Sequence, residues 1–312
     1  MIAHVSKAFF QALAASRGLK HLASRYGMRR PSSFARRFIA GETVDEAIAT
    51  ARTIEAAGFM QTLDMLGESV VTMSEADAGT RAYLALIDQI VAAGIGRNIS
   101  LKLTQLGLTV DRATCVDNLR RILDSGSTHD FFVRVDMENS RFTQVTIEIF
   151  ETMWQQGYRN AGIVLQSYLP RSLADAVRLN QLGARVRLVK GAYNEPKGVA
   201  YQDKADVDAA FLEIVKLLLV GGNYPAIATH DPAMIAAARA FASQRDISAD
   251  RYEFQMLYGV RRDLQARLRT DGYRLRVYVP FGREWFPYFM RRLGERPANV
   301  AFVVGGILRD RS

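Results

Sequence analysis

The chain has 312 residues, about half of them apolar and about a quarter charged, which fits a globular protein of one large barrel domain with an appendage or of two ordinary domains. Its single cysteine, Cys115, excludes an intramolecular disulfide and agrees with a reducing compartment, and four histidines without a Cys/His cluster at ligand spacing argue against a metal site. The net charge of +9 sits at one end: residues 1–40 carry eight Lys/Arg and no acidic residue, and the nearly neutral body excludes a nucleic-acid-reading domain.

Residues 1–58 read as a basic helical arm, ahead of a domain over 59–312. The arm has three readings: a solvated helical face, a surface for anionic lipid helped by Phe9, Phe10 and Leu13, and, least favoured because Met1 is kept, a transit peptide. No apolar run approaches the roughly 20 residues of a membrane span, so the expectation is a cytoplasmic protein that can sit on the inner face of a membrane. Ser33–Ala40 and Val44–Ala57 read as helices, the second behind the weak cap Gly41-Glu42-Thr43.

From Phe59 onward, short β-rich runs alternate with helical stretches. The expected pairs are Met60–Leu66 with Glu75–Ala93, Ile99–Leu103 with Arg112–Leu123, Phe131–Val135 with Thr143–Gln156, and Gly162–Leu165 with Ser172–Leu182. Four more follow: Val186–Val189 with Ala205–Val220, Ala226–Ala228 with Pro232–Ala242, Tyr252–Gln255 with Arg261–Arg269, and Leu275–Val279 with Glu284–Leu293. Eight such pairs predict an α/β fold, a closed parallel (β/α)8 TIM-type barrel. An open doubly wound sheet is the alternative, but no strand–helix turn carries GxGxxG. Val300–Leu308 reads as a closing strand or docking segment.

Such barrels carry their sites at the C-terminal strand ends. There the sequence places Asp64, Glu68, Lys102, Asp136, Gln166, Arg187, Lys190, Thr229, His230, Asp231, Gln255, Tyr258 and Tyr278. Arg187 lies inside a strand, so its guanidinium must find an acceptor in the barrel; a ligand, Asp136 or Glu253 could supply it. In Lys190-Gly191-Ala192-Tyr193 small residues let a ligand approach the backbone, and Lys190 can face a phosphate. Asp231-Pro232 opens a helix whose N-terminus lies beside Thr229 and His230 and favours phosphate. Arg291 and Arg292 follow Tyr288 on one helix and can converge on a small anion, with Glu295 as a counter-charge for Arg291. Each of these residues also has a purely structural reading as an ion pair, a cap or a surface pair.

The runs Arg187-Leu-Val-Lys-Gly-Ala-Tyr193, Ala228-Thr-His-Asp231, Glu253-Phe-Gln-Met-Leu-Tyr-Gly259, Val277-Tyr-Val-Pro-Phe-Gly282 and Tyr288-Phe-Met-Arg-Arg-Leu293 together resemble the proline dehydrogenase family, in the family's order and over roughly residues 60–310. By length the chain resembles the single-function bacterial form. Gly294-Glu295-Arg296-Pro297 departs from the Glu-Asn that often follows the arginine pair. The resemblance implies oxidation of L-proline to Δ1-pyrroline-5-carboxylate by hydride transfer to N5 of non-covalent FAD, with electrons passing to membrane quinone. It implies a catalytic group of Asp136, Arg187 and Tyr278. FAD would be held by Met137, Gln166, Arg187, Lys190, Gly191, Ala192, Thr229 and His230. Proline would be held by Lys102, Leu257, Tyr278, Tyr288, Arg291 and Arg292. Two readings from other classes compete: a barrel aldolase with a Schiff base on Lys190 or Lys102, and a non-catalytic barrel that binds a partner through the basic arm.

Overall fold

The computed structural model describes Met28 and residues 33–295. Most of the basic arm and the segment Val300–Leu308 therefore lie outside the described residues. The expected alternation is present throughout the rest. In chain order the elements are α1 (Val44–Ala56), β1 (Met60–Met65), α2 (Met73–Ala93), β2 (Asn98–Leu101), α3 (Arg112–Thr128), β3 (Phe132–Val135), α4 (Thr143–Gln155), β4 (Ala161–Gln166) and α5 (Ser172–Gln181). They continue with β5 (Arg185–Val189), α6 (Lys204–Gly221), β6 (Ala226–Ala228), α7 (Pro232–Gln244), β7 (Glu253–Leu257), α8 (Arg262–Thr270), β8 (Leu275–Phe281) and α9 (Trp285–Glu295).

The eight strands are parallel and close in sequence order, with β8 pairing β1 from Met60↔Arg276 to Met65↔Phe281. A closed barrel leaves no open edge, and strands covered on both faces read as continuous apolar runs. β4 is the clearest case, buried at every position.

Local chemistry sets the helix starts. Thr43 accepts from Glu46 N while Glu46 accepts from the Thr43 amide, so the cap that looked weak in sequence is a full capping box. Thr72 and Glu75 repeat the device at α2. Asp231 accepts from Ala233 N with Pro232 at the first helical position, as expected.

The helix expected over Ser33–Ala40 is shorter, a 3-10 turn at Phe34–Arg37. Its continuation is taken by β8: Ala40 N donates to Pro280 O, and Gly282 N donates to Gly41 O. Gly259 makes room for this passage. It has φ +74°, and a Cβ there would stand 1.6 Å from Arg37 O, so only glycine fits.

The helix that follows β8, α9, does not close the outer ring. α1 packs against β1 and β8 instead, and Ala47, Ile48, Ala51 and Ile54 join the barrel core. This leaves α9 with a separate apolar cluster, in which Trp285 and Phe289 lie edge to face at 5.9 Å and Phe38 packs on Phe289 at 6.3 Å. Trp285 Nε1 donates to Glu42 Oε1 at 3.0 Å, tying α9 to the start of α1. Through Tyr288, Arg291 and Arg292, α9 contributes to the cavity at the C-terminal strand ends.

Candidate active site

That cavity has a volume of about 590 Å³, within the ~300–1,000 Å³ typical of small-molecule and cofactor sites. Every residue that the resemblance assigned to chemistry, cofactor or substrate lines it, although they come from seven separate strand–helix units, β2 to β8.

Arg187 is its centre. The side chain is buried and points inward from β5, where it is held on three sides. Nε donates to Gln255 Oε1 at 2.5 Å, Nη1 to Asp136 Oδ1 at 2.7 Å, and Nη2 to Ser100 Oγ at 3.1 Å. Tyr278 donates to the other oxygen of Asp136 at 2.7 Å, and Arg187 lies 5.3 Å from the centre of the Tyr278 ring. The acceptor that a buried guanidinium requires is thus Asp136, and a planar fork held this way cannot swing. Burial, with Asp136 and Asp64 adding to it, pushes the Tyr278 hydroxyl well above its ordinary value, so it remains a donor.

Lys102 lies just past β2 and pairs with the fully buried Asp64 at 3.1 Å. Burial opposes its charge, but Asp64 and Asp136 outweigh burial and hold Lys102 above the ordinary lysine value. A lysine kept protonated binds anions; it does not attack carbonyls, which counts against a Schiff base there. Arg291 forms a two-pronged pair with Glu68, at 2.8 and 3.2 Å, and its guanidinium lies 5.8 Å from the Tyr193 ring. The expected counter-charge, Glu295, has a side chain outside the described residues. Glu68 fills the role from the β1–α2 loop, a long-range contact that helical spacing could not indicate. Arg292 is buried, with its guanidinium 5.1 Å from the Tyr288 ring.

The wall expected to meet phosphate differs in detail. Lys190 is already bound by Asp208 at 2.5 Å and Asp231 at 2.8 Å, and Lys204 contacts the same two carboxylates. These lysines outweigh burial and bring Asp231 down to about 2. Asp231 N donates to Thr229 Oγ1 at 3.1 Å, and Ala233 N is used by the cap. Two of the amides at the start of α7, those of Asp231 and Ala233, are therefore engaged within the turn. His230 Nε2 accepts from Leu257 N at 2.9 Å, which places its proton on Nδ1.

Gly191, at φ +113°, passes so close to Tyr168 that a Cβ would stand 2.4 Å from the ring. The Gln166 amide oxygen is buried without a hydrogen-bond partner among the described residues. Asp64, Glu68 and Tyr258, placed by sequence in the same polar ring, do not line the cavity; the first two support residues that do. Sequence reasoning missed Ser100, Tyr168, Lys204 and Asp208. Only Ser100 had a signal, as a small polar residue inside an apolar strand.

Among the described residues no group of His, Cys, Asp and Glu could hold a metal ion, and no helix is long and apolar enough to cross a membrane.

The model of a family described as "Proline dehydrogenase" matches residues 47–304. "Proline dehydrogenase 1" of Bacillus subtilis strain 168 is 40% identical over 309 residues, covering 99% of this chain and 100% of that protein. "Proline dehydrogenase" of Deinococcus radiodurans is 42% identical over 281 residues, covering 89% and 91%. Among solved structures, proline utilization A of Bdellovibrio bacteriovorus inactivated by N-propargylglycine superposes with a TM-score of 0.80 at 29% identity, over 89% of this chain. The chain spans about a third of that longer protein, 34%. With a matching family model over most of its length and relatives matched nearly end to end, this chain belongs to the proline dehydrogenase family.

Proposed function

We propose that the chain oxidises L-proline to Δ1-pyrroline-5-carboxylate in proline catabolism, with non-covalent FAD as hydride acceptor and membrane quinone as the destination of the electrons. The observation that carries this reading is the convergence in one cavity of the Arg187–Asp136–Tyr278 group with the cations Lys102, Arg291 and Arg292. Family membership supports it independently.

The lining fits a flavin. The partnerless Gln166 oxygen suits a ring N–H, Arg187 presents a fixed cation to the ring edge, and Gly191 and Ala192 allow close approach of the backbone. Lys190 and Lys204 can share a pyrophosphate with the two aspartates they now hold. Non-covalent attachment agrees with the two nucleophiles nearest in type: His230 Nε2 is engaged by Leu257, and Cys115 is buried away from the cavity. When bound, FAD supplies the hydride acceptor at N5 and the route for two electrons outward.

The chain's own residues do the positioning. Proline is small, and its carboxylate is its main handle. Lys102, Arg291 and Arg292 neutralise and orient that carboxylate, while Tyr288, Leu257 and the Tyr278 ring close on the apolar ring carbons. Asp136 keeps Arg187 and Tyr278 in place, so the donor carbon meets a fixed electrostatic environment. The barrel from β1 to β8, with α1 completing its ring and α9 reaching its cavity, is the catalytic unit; the basic residues 1–40 offer an anionic membrane a surface near the quinone pool.

Purified protein tests the reading. It should be yellow, release its chromophore on acid precipitation, and reduce an artificial dye with L-proline. A colourless protein that folds, takes up no added FAD and turns over no proline overturns it.

A further inference from the structure

At the opposite, N-terminal end of the barrel lies a second cavity, of about 500 Å³. Its walls are the first residues of several strands: Met60 of β1, Asn98 of β2, Phe132 of β3, Arg185 of β5, and Arg276 of β8. Phe59, Arg97 and Glu55 complete the rim. Arg134, two residues further along β3, is buried against the Phe132 ring and does not itself line the cavity.

Positive charge there exceeds what the walls neutralise. Glu253 is fully engaged by Arg276, at 2.8 and 3.0 Å. Glu55 Oε1 accepts from Gly96 N at 2.7 Å and Gln61 Nε2 at 3.2 Å. Arg97 Nη1 donates to His129 O at 2.8 Å, and its one ion pair among the described residues is with the exposed Asp130, at 3.6 Å. Arg134 and Arg185 make no ion pair among the described residues, and each has a buried Nε without a hydrogen-bond partner. Both guanidiniums stack on the Phe132 ring, at 4.7 and 4.5 Å. Burial, reinforced by Arg187, Arg185 and Arg276, pushes Arg134 well below its ordinary value, the mark of a cation short of counter-charge. Guanidiniums that are buried without a carboxylate are costly, and their forks match oxyanions. A concave, low-dielectric wall concentrates such a field.

We propose that this cavity is a binding site for a small anion carrying two or more charges on phosphoryl or carboxylate groups, held by Arg97, Arg185 and Arg276 against the Phe59 and Phe132 rings. The site is separate from the cavity at the other end and is independent of the flavin reading.

Calorimetric titration of the full-length protein with pyrophosphate, and separately with succinate, at fixed ionic strength tests it. At least one of the two should show saturable binding. That binding should weaken by about tenfold or more in Arg185→Gln, the size of one charge-assisted hydrogen bond. Arg97→Gln, on the exposed rim, should weaken it too and keeps the test open if Arg185→Gln fails to fold. Lys190→Gln, at the other mouth, should leave this component unchanged. Tighter pyrophosphate identifies a phosphoryl ligand, and tighter succinate a dicarboxylate. No saturable binding of either probe, binding indifferent to both arginines, or binding lost only in Lys190→Gln overturns the proposal.

Discussion

Arg291 of α9, which lines the cavity, and Glu68 of the β1–α2 loop, which does not, meet through both prongs of the guanidinium, at 2.8 and 3.2 Å. On the proposed reading, a substrate carboxylate would compete there with a carboxylate already in place. The pair holds the Arg291 guanidinium in a fixed orientation with its charge neutralised.

Replacing Arg291 or Arg292 with Met is expected to raise the KM for proline by tenfold or more, from the loss of about 1.5–3 kcal/mol per hydrogen bond to a charged group. FAD content should hardly change. If the clamp also aligns the donor carbon, kcat falls with it. Steady-state kinetics on flavin-loaded protein decide the matter, and an unaltered KM in both variants removes the arginines from the substrate site.

The Glu68–Arg291 pair also predicts a pH dependence. Burial raises the Glu68 pKa, but the charge and hydrogen bonds of Arg291 outweigh it and leave it below the ordinary 4.5. A depressed carboxylate stabilises the fold above its unfolded value, and that stability is lost as pH falls through the folded value. Glu68→Gln should therefore be less stable than the parent by ~1–2 kcal/mol from pH 8 to 5, with the gap closing below pH 4.5. Urea midpoints across that range measure it; a gap that widens in acid contradicts the pairing.

Arg187→Met, in protein that retains flavin, should slow flavin reduction by about 10²–10³-fold, the typical loss when one preorganised charge or donor is removed from a reaction centre. The flavin potential should shift as well. Stopped-flow reduction at wild-type rate would remove Arg187 from the centre.

The barrel was legible because its two periodicities are local: apolar runs buried on both faces, such as Ala161–Gln166, alternate with amphipathic helices. Arg187 was legible because a charge inside a strand must be partnered. What was not legible depended on contacts distant in sequence. Arg291 took Glu68 of a distant loop; Lys190 took Asp208 and Asp231; Asp64 met Lys102 across neighbouring strands. The role of α1 was also hidden, since a helix preceding the first strand reads as an appendage until β1 and β8 close beside it. The pairing of Ala40 and Gly41 with the end of β8, which cuts short the expected first helix, is another such contact.

Deleting residues 1–30 should weaken binding to anionic liposomes while leaving dye-coupled turnover with proline largely intact. The difference should shrink as salt rises, because ions screen surface attraction. Liposome sedimentation at low and high salt checks it, and unchanged binding returns the arm to the reading of a solvated face.

Whether the cavity at the strand C-termini brings proline to a bound flavin is decided by anaerobic titration of the purified, flavin-loaded protein with L-proline. The oxidised flavin absorbance should be lost on adding L-proline, at a rate that saturates with substrate, and much more slowly on adding prolinamide, which lacks the carboxylate proposed to meet Lys102, Arg291 and Arg292. A flavin-loaded, folded protein whose spectrum does not change with L-proline would contradict this reading.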